Sequence, residues 1–149
     1  MDIKQKYVKI HKQGWIPIFT RDQLDPIMLS EICLKAGLEV IEITCRRPNV
    51  ADEIKAVKSR FPELTILVGS TVDSNKIVSG LRRINPKMPT IEELAELEAD
   101  GFVAQLPFMQ ETIENYSKNY ILIPGQETVM EAYNSLILGA HFVKFCSVT

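Results

Sequence analysis

Short apolar runs alternate along the chain with stretches in which apolar residues recur every three or four positions. A continuous apolar run is typical of a strand buried on both faces, and the three-to-four spacing is typical of an amphipathic helix. The pattern predicts strands over residues 15–20, 38–44, 64–68, 102–106, 120–123 and 142–146. It predicts helices over about 3–12, 25–37, 49–61, 73–84, 90–99, 109–117 and 127–138. Strands and helices therefore alternate, which favours a parallel α/β fold.

Start and stop signals support several of these helix boundaries. Asp25 precedes a proline that suits the first turn of a helix, and Gly37 is expected to end that helix. Thr90 and Glu93 have the spacing of a capping box, so another helix is expected to begin there. Asn49 is expected to cap the helix after the second strand. Local sequence thus refines boundaries that the apolar pattern leaves approximate.

Polar residues gather where the predicted strands end, and their placement separates two kinds of parallel fold. A doubly wound sheet usually carries a glycine-rich phosphate turn after its first strand, and no such turn follows the first strand here. A (β/α) barrel builds its active site at the carboxyl ends of its strands. The candidates at these ends are Arg21, Thr44, Arg46, Thr71 and Lys144. We therefore predict an α/β fold of the TIM-type (β/α) barrel class.

The length of the chain bears on how much of such a barrel is present. The chain has 149 residues, whereas a complete barrel takes about 200 or more. We expect a single (β/α) barrel domain over residues 1–149, incomplete at its C-terminus, with about six of eight strand–helix units. Three explanations for the short barrel are open. The chain could be a piece of a longer protein, which we favour. A partner copy could complete the barrel, or the chain could be a degenerate relative of complete barrels.

Composition and charge exclude some classes of function. The formal net charge is −2 and there is no basic tract, so binding to nucleic acid is not expected. No apolar run approaches the roughly 20 residues that cross a bilayer, and the N-terminus lacks an apolar signal core. The three cysteines, Cys33, Cys45 and Cys146, lie in apolar segments without metal-ligand spacing. They indicate reduced core residues, and so a cytoplasmic protein without a metal site.

Two charged residues lie inside apolar strands and suggest chemistry. Lys144 follows His141-Phe142-Val143 in the last strand, where it is expected to lose hydration. Desolvation disfavours the ammonium form, and a neutral amine can form a Schiff base with a carbonyl substrate. Glu42 lies in the second strand between two isoleucines. A buried amine and a buried carboxylate are the groups that carbonyl chemistry with proton transfer requires.

Four motifs, in order along the chain, resemble those of one family of enzymes. Residues 42–46 form a Glu-x-Thr-x-Arg strand end, and residues 69–72 form a turn containing Thr-Val. Residues 123–125 form Ile-Pro-Gly ahead of a helix, and residues 139–145 place a lysine on the sixth strand. The chain resembles, from about Ile16 to Phe145, the class I aldolases that act on 2-keto-3-deoxy-6-phosphogluconate and 4-hydroxy-2-oxoglutarate.

The resemblance implies a role for each motif residue. It implies that Lys144 forms a Schiff base with pyruvate and that Glu42 is the acid/base. It implies that Arg46 and Thr71 bind the pyruvate carboxylate, and that the substrate is a small 2-keto-4-hydroxy acid. No cofactor or metal is implied, because the protonated imine acts as the electrophile. It also implies a homo-oligomer, typically a trimer. Because the family binds the substrate phosphate with loops of the last two units, phosphorylation of the substrate stays open.

Other interpretations of the same residues are also open. Glu42 and Lys144 could form a structural ion pair, and Thr71 could cap a helix. Arg47 is more simply explained as a solvated turn residue, and Gly125 as a residue that allows a tight turn. The chain could be a non-catalytic or degenerate barrel that binds a keto acid or acts as an assembly subunit. An epimerase or decarboxylase acting on a sugar phosphate is a further alternative, but the chain shows no phosphate-binding turn.

Overall fold

The computed structural model describes residues 1–20 and 23–146, so Arg21, a candidate at the end of the first strand, lies outside the described residues. The helices are α1 Ile3–Gln13, α2 Pro26–Lys35, α3 Val50–Arg60, α4 Asn75–Leu81, α5 Ile91–Ala95, α6 Gln110–Tyr116 and α7 Val129–Leu138. The strands are β1 Ile18–Phe19, β2 Val40–Thr44, β3 Thr65–Thr71, β4 Gly101–Ala104, β5 Ile121–Ile123, β6 Gly125–Gln126 and β7 Lys144–Phe145. The predicted alternation of strands and helices is confirmed.

Strands β1 to β5 form one parallel sheet in sequential order, and β6 pairs with β7 in a second parallel sheet. Pro124 separates β5 from β6 because it has no N–H to donate to a ladder. The backbone continues the pairing across this break: His141 N donates to Leu122 O at 3.1 Å, and Lys144 N donates to Pro124 O at 3.0 Å. The segment that ends in β7 therefore lies along β5 and β6 as the next strand of the wall. Sequential parallel strands of this kind confirm the partial (β/α) barrel.

The sheet is covered differently on its two faces. On the outer face, apolar residues of α2 to α6 pack on alternate strand residues such as Ile41 and Ile43. On the inner face, Ile10 of α1 packs against Val40, Leu67 and other inward-facing strand residues. Side chains of a strand alternate between the two faces, so Glu42, two residues from Val40, is directed to the inner face. This alternation places a carboxylate inside the barrel.

Several predicted boundaries held, and others did not. Asp25 accepts a hydrogen bond from Ile27 N, and the capping box of Thr90 and Glu93 is formed. Asn49 occupies the predicted N-cap position of α3, but its side chain makes no capping hydrogen bond. Its side chain instead accepts a hydrogen bond from Lys87 Nζ at 2.7 Å. The side-chain oxygen of Asn49, which could have capped α3, is therefore bonded to a residue that is distant in sequence.

Helices α4 and α5 both lie between β3 and β4, joined by turns over residues 82–90. These turns are held to the rest of the fold: Asn85 donates to Cys45 O at 3.1 Å, and Met88 is buried in the outer core.

No helix among the described residues is long and apolar enough to cross a membrane.

Candidate active site

Glu42 and Lys144 line the same cavity. Its volume is about 430 Å³, and its walls come from α1, β1, β2, β4, β5 and the segment that ends in β7. Ile18, Val103 and Ile123 make much of the wall apolar. Glu42 is only 5% exposed, whereas Lys144 is partly exposed. The two side chains that the sequence singled out thus face one space rather than opposite sides of the sheet.

The surroundings of Glu42 favour its protonated form. Burial raises the pKa of Glu42 above its ordinary value of 4.5, because a carboxylate loses hydration in an apolar cavity. The positive charges of Lys144 and Arg46 oppose this shift but are smaller effects. A carboxyl group whose pKa is raised is better suited to give and take protons near neutral pH.

This raised pKa predicts how stability depends on pH. The folded protein holds the Glu42 proton at pH values where the unfolded chain has released it. Folding stability must therefore fall as pH rises from about 4.5 through the folded pKa. Glu42→Gln has no such proton, so its stability should rise relative to the wild type over that interval. Urea denaturation of both proteins between about pH 4 and pH 8 measures the difference. Parallel stability profiles would contradict the raised pKa.

Lys144 is less buried than the sequence predicted. It is partly exposed, and its neighbour Phe145 is largely exposed. The reason is position: among the described strands, β7 pairs only with β6, so the other side of β7 has no strand to cover it. Within the described residues Lys144 and Glu42 also form no ion pair within 4 Å. The alternative of a direct structural ion pair is therefore wrong.

Arg46 and Thr71 lie close to the cavity but do not line it. Arg46 is exposed beside Cys45 and Ser70, and its positive charge acts to lower the pKa of Glu42. Thr71 is buried, and its hydroxyl donates a hydrogen bond to Val103 O at 3.0 Å. The helix that follows is capped by Ser74, so a capping role for Thr71 is wrong. To bind a carboxylate, Thr71 would have to exchange its bond to Val103.

Arg47 is the clearest error of the sequence interpretation. It was expected to be solvated, but its side chain is fully buried. Its guanidinium group is paired with the carboxylate of Glu53 and donates to Leu24 O at 2.8 Å. A planar guanidinium group can satisfy several acceptors at once, which allows its burial. Arg47 therefore ties the end of β2 to α3 and to the segment ahead of α2.

Gly125 is required for space rather than for an unusual backbone conformation. A Cβ at this position would lie 2.2 Å from the backbone oxygen of Gln105. Because the obstructing atoms belong to the backbone, they cannot move aside as a side chain can. The Ile-Pro-Gly motif thus lets β6 approach the end of β4 and carry Lys144 on β7 next to the cavity.

The sequence interpretation missed the contribution of α1 to the cavity. His11 of α1 and Trp15, which follows α1, line it, and Tyr7 of α1 stacks on Phe142 with ring centroids 4.7 Å apart. The signal was the cluster of aromatic residues around His11 in an otherwise polar segment. The second histidine, His141, lies just ahead of β7, and its Nδ1 accepts a hydrogen bond from Leu122 N at 3.2 Å. Burial lowers the pKa of His141, which keeps that nitrogen free to accept.

Across residues 1–20 and 23–146, no three His, Cys, Asp or Glu side chains lie close enough together to hold a metal ion. Among the residues that the structure describes, the ionisable groups that line the cavity are Glu42, Lys144 and His11.

Known proteins resemble this chain in sequence and in fold. No protein-family model matches it. The 2-dehydro-3-deoxy-phosphogluconate aldolase of Haemophilus influenzae is 26% identical over 140 residues, which cover 92% of this chain and 58% of that protein. A solved 4-hydroxy-2-oxoglutarate/2-dehydro-3-deoxyphosphogluconate aldolase superposes with a TM-score of 0.71 at 22% identity, covering 94% of this chain and 62% of the other. The aldolase of Legionella pneumophila, solved with pyruvate captured as a covalent carbinolamine, has a TM-score of 0.61 at 20% identity over 83% and 54%.

The chain thus spans about three fifths of the length of these relatives. Within that span both the sequence and the fold match, and the resemblance that the four motifs predicted is confirmed. This chain is similar in sequence and in its partial barrel fold to the 2-keto-3-deoxy-6-phosphogluconate and 4-hydroxy-2-oxoglutarate aldolases.

Proposed function

We propose that the protein is a class I aldolase, a lyase that cleaves a 2-keto-4-hydroxy acid to pyruvate and an aldehyde. The observation that carries the proposal is the shared cavity of Glu42 and Lys144. Its support is the similarity to aldolases, one of which was captured with pyruvate as a covalent carbinolamine. Candidate substrates are 2-keto-3-deoxy-6-phosphogluconate and 4-hydroxy-2-oxoglutarate.

Lys144 supplies the nucleophile in this proposal. Its amine adds to the keto carbon to form a carbinolamine, and loss of water leaves a protonated imine. The imine at C2 withdraws the electron pair of the C3–C4 bond. This bond breaks as the C4 hydroxyl loses its proton, which gives an enamine and the aldehyde. Hydrolysis of the imine after protonation of the enamine releases pyruvate and restores Lys144. The partial exposure of Lys144 gives a substrate carbonyl access to its amine.

Glu42 supplies the proton transfers. It must take a proton from the substrate hydroxyl as the bond breaks and return one to the enamine carbon. Because the apolar site raises the pKa of Glu42, the carboxyl group is suited both to accepting and to donating a proton. A positioned acid/base of this kind contributes about 10²–10⁴-fold to rate.

Arg46 and Thr71 are the proposed pyruvate-binding residues. A guanidinium group can hold a carboxylate with two parallel hydrogen bonds. Arg46 is exposed close to Glu42, so its long side chain is free to turn toward the cavity when substrate enters. Thr71 can contribute only after its hydroxyl leaves Val103 O, so we expect Arg46 to carry most of the carboxylate affinity.

Reductive trapping tests the proposed function. Incubation with pyruvate and sodium borohydride should reduce the imine to a stable secondary amine on Lys144, located by peptide mass spectrometry. An adduct at another lysine, or none at all, would overturn the Schiff-base mechanism. Binding of pyruvate without any adduct would instead identify a non-catalytic or degenerate barrel that only holds a keto acid.

We further propose that the chain forms a homo-oligomer, with a trimer as the state that the resemblance implies. The support is an apolar stripe on the outer side of α7, whose side chains are 47% to 77% exposed. The stripe, named here the α7 patch, consists of Val129, Met130, Tyr133, Leu136 and Ile137. A contiguous apolar patch of this kind marks an interaction surface more often than a free surface.

The oligomer is tested by light scattering after size exclusion. The wild type should elute as an oligomer. The double variant with Tyr133→Glu and Ile137→Glu should elute as a monomer, because burying two carboxylates in the interface would cost more free energy than the contact contributes. Ile84→Glu, a substitution at an exposed residue in the turns between α4 and α5, is the control and should leave the mass unchanged. A monomeric wild type would contradict the proposal.

A cytoplasmic location and a single domain complete the proposal. Cys33 and Cys45 are buried free thiols, and burial raises the pKa of Cys45 to about 12, which keeps it protonated. Inert reduced thiols suit a reducing compartment.

Both apolar cores pack on one continuous run of parallel strands, which supports one domain over residues 1–149.

A further inference from the structure

Gly69 lies against the side chain of Glu42. A Cβ built at residue 69 would come within 1.8 Å of Glu42 Oε1, 2.6 Å of its Cδ and 2.9 Å of its Cγ. Gly69 pairs with Thr44 in the ladder between β2 and β3, two residues beyond Glu42 on β2. The Glu42 side chain therefore extends along the barrel interior across the place where residue 69 would carry its own side chain.

The backbone of Gly69 does not explain why glycine stands there. The described glycines with positive φ are Gly14, Gly37 and Gly139. The pairing of β3 with β4 shifts in register between Gly69 and Thr71, but the residue with positive φ there is Ser70, not Gly69. The Gly69 carbonyl accepts a hydrogen bond from Cys45 N at 2.8 Å. Glycine inside a strand costs conformational entropy and packs no side chain. The feature that glycine uniquely supplies here is the space that the Glu42 carboxylate fills.

We propose that Gly69 is a positioning residue that sets where the Glu42 carboxylate lies in the cavity. The contact between residue 69 and Glu42 follows from the geometry alone. Its effect on catalysis rests on the proposed function. Three atoms along the glutamate side chain would lie less than 3.0 Å from an added methyl group. A small tilt of the carboxylate cannot relieve that overlap, so the whole side chain would have to take another rotamer.

A double-mutant cycle tests the contact without reference to activity. Gly69→Ala should lower the melting temperature by several degrees in the wild type, as steric overlap in a core does. In the Glu42→Ala background, which removes all three overlapping atoms, the same change should have little effect. Gly80→Ala is the matched control, because a Cβ there meets nothing within 4 Å. An equal loss of stability in both backgrounds would overturn the proposed contact.

The rate of reductive trapping tests the consequence. Gly69→Ala should slow adduct formation at saturating pyruvate by about 100-fold, the scale of a misplaced acid/base. The pyruvate concentration that gives half the maximal rate should change much less, since Gly69 touches neither Lys144 nor Arg46 among its closest neighbours. Gly80→Ala should trap pyruvate at the wild-type rate.

The outcomes separate the positioning role from the proposed function. A wild type that traps no pyruvate would refute the aldolase, while a coupled stability cycle would still support the position of Glu42. A wild type that traps pyruvate, with a Gly69→Ala variant that traps it equally fast, would refute positioning by Gly69 and leave the aldolase standing.

Discussion

Replacing Lys144 with alanine is expected to abolish covalent capture of pyruvate completely. The reason is chemical: the imine requires a primary amine at the cavity, and within the described residues Lys144 is the lysine that lines it. Loss of one member of a catalytic set removes most of the rate that the set supplies. The measurement is intact-protein mass spectrometry after borohydride reduction with pyruvate, with the melting temperature recorded alongside.

Two variants control this experiment. Lys144→Arg keeps a positive charge near Glu42 but cannot form the imine, so it should also show no adduct. Lys118→Ala removes an exposed lysine from the end of the α6 region and should retain full capture. An adduct that persists in a folded Lys144→Ala protein would assign the nucleophile to another residue.

Replacing Asp100 with alanine is expected to destabilise the folded protein strongly. Asp100 is buried immediately before β4. Its Oδ1 lies 3.1 Å from Lys6 Nζ, and its Oδ2 lies 2.5 Å from Lys58 Nζ and accepts a hydrogen bond from Ile66 N at 2.9 Å. One carboxylate therefore joins α1, α3 and β3 at the start of β4.

Removal of that carboxylate leaves two poorly exposed ammonium groups and an unpaired N–H. Breaking a buried ion pair by deleting one partner costs about 3–5 kcal/mol, which is a large part of the stability of a domain of this size. Urea denaturation measures the loss. Glu39→Ala breaks the more exposed pair with Lys9 and should cost less than about 1 kcal/mol. Equal losses for the two variants would contradict the structural role of Asp100.

The parts of the fold that could be predicted are those governed by short-range rules. Asp25 and Thr90 cap helices where their spacing indicated, because each side chain reaches an N–H two or three residues away. Prediction failed where a distant residue competed. Asn49 bonds Lys87 rather than the end of its own helix, and Arg47 finds Glu53 and Leu24 O instead of water.

The candidate site divides in the same way. The motifs identified Glu42 and Lys144. The packing of Val40 against α1 showed that Glu42 is directed to the inner face, away from Ile41 and Ile43. The exposure of Lys144 could not be predicted, because burial of a strand depends on what pairs with its outer side, and β7 pairs only with β6 in the described part of the chain. The role of Gly69 was hidden as well, since it depends on a contact across two strands.

The amino-acid order by itself determined the succession of parallel strands and helices and the lysine and glutamate that carry the proposed chemistry. Those features follow from periodicity and residue type, which act within a few positions along the chain. Only the tertiary structure decided that both groups face one cavity, that Arg47 is buried and that Gly69 makes room for a carboxylate. Such facts depend on which segments become neighbours, and packing between distant segments is not encoded in any local pattern.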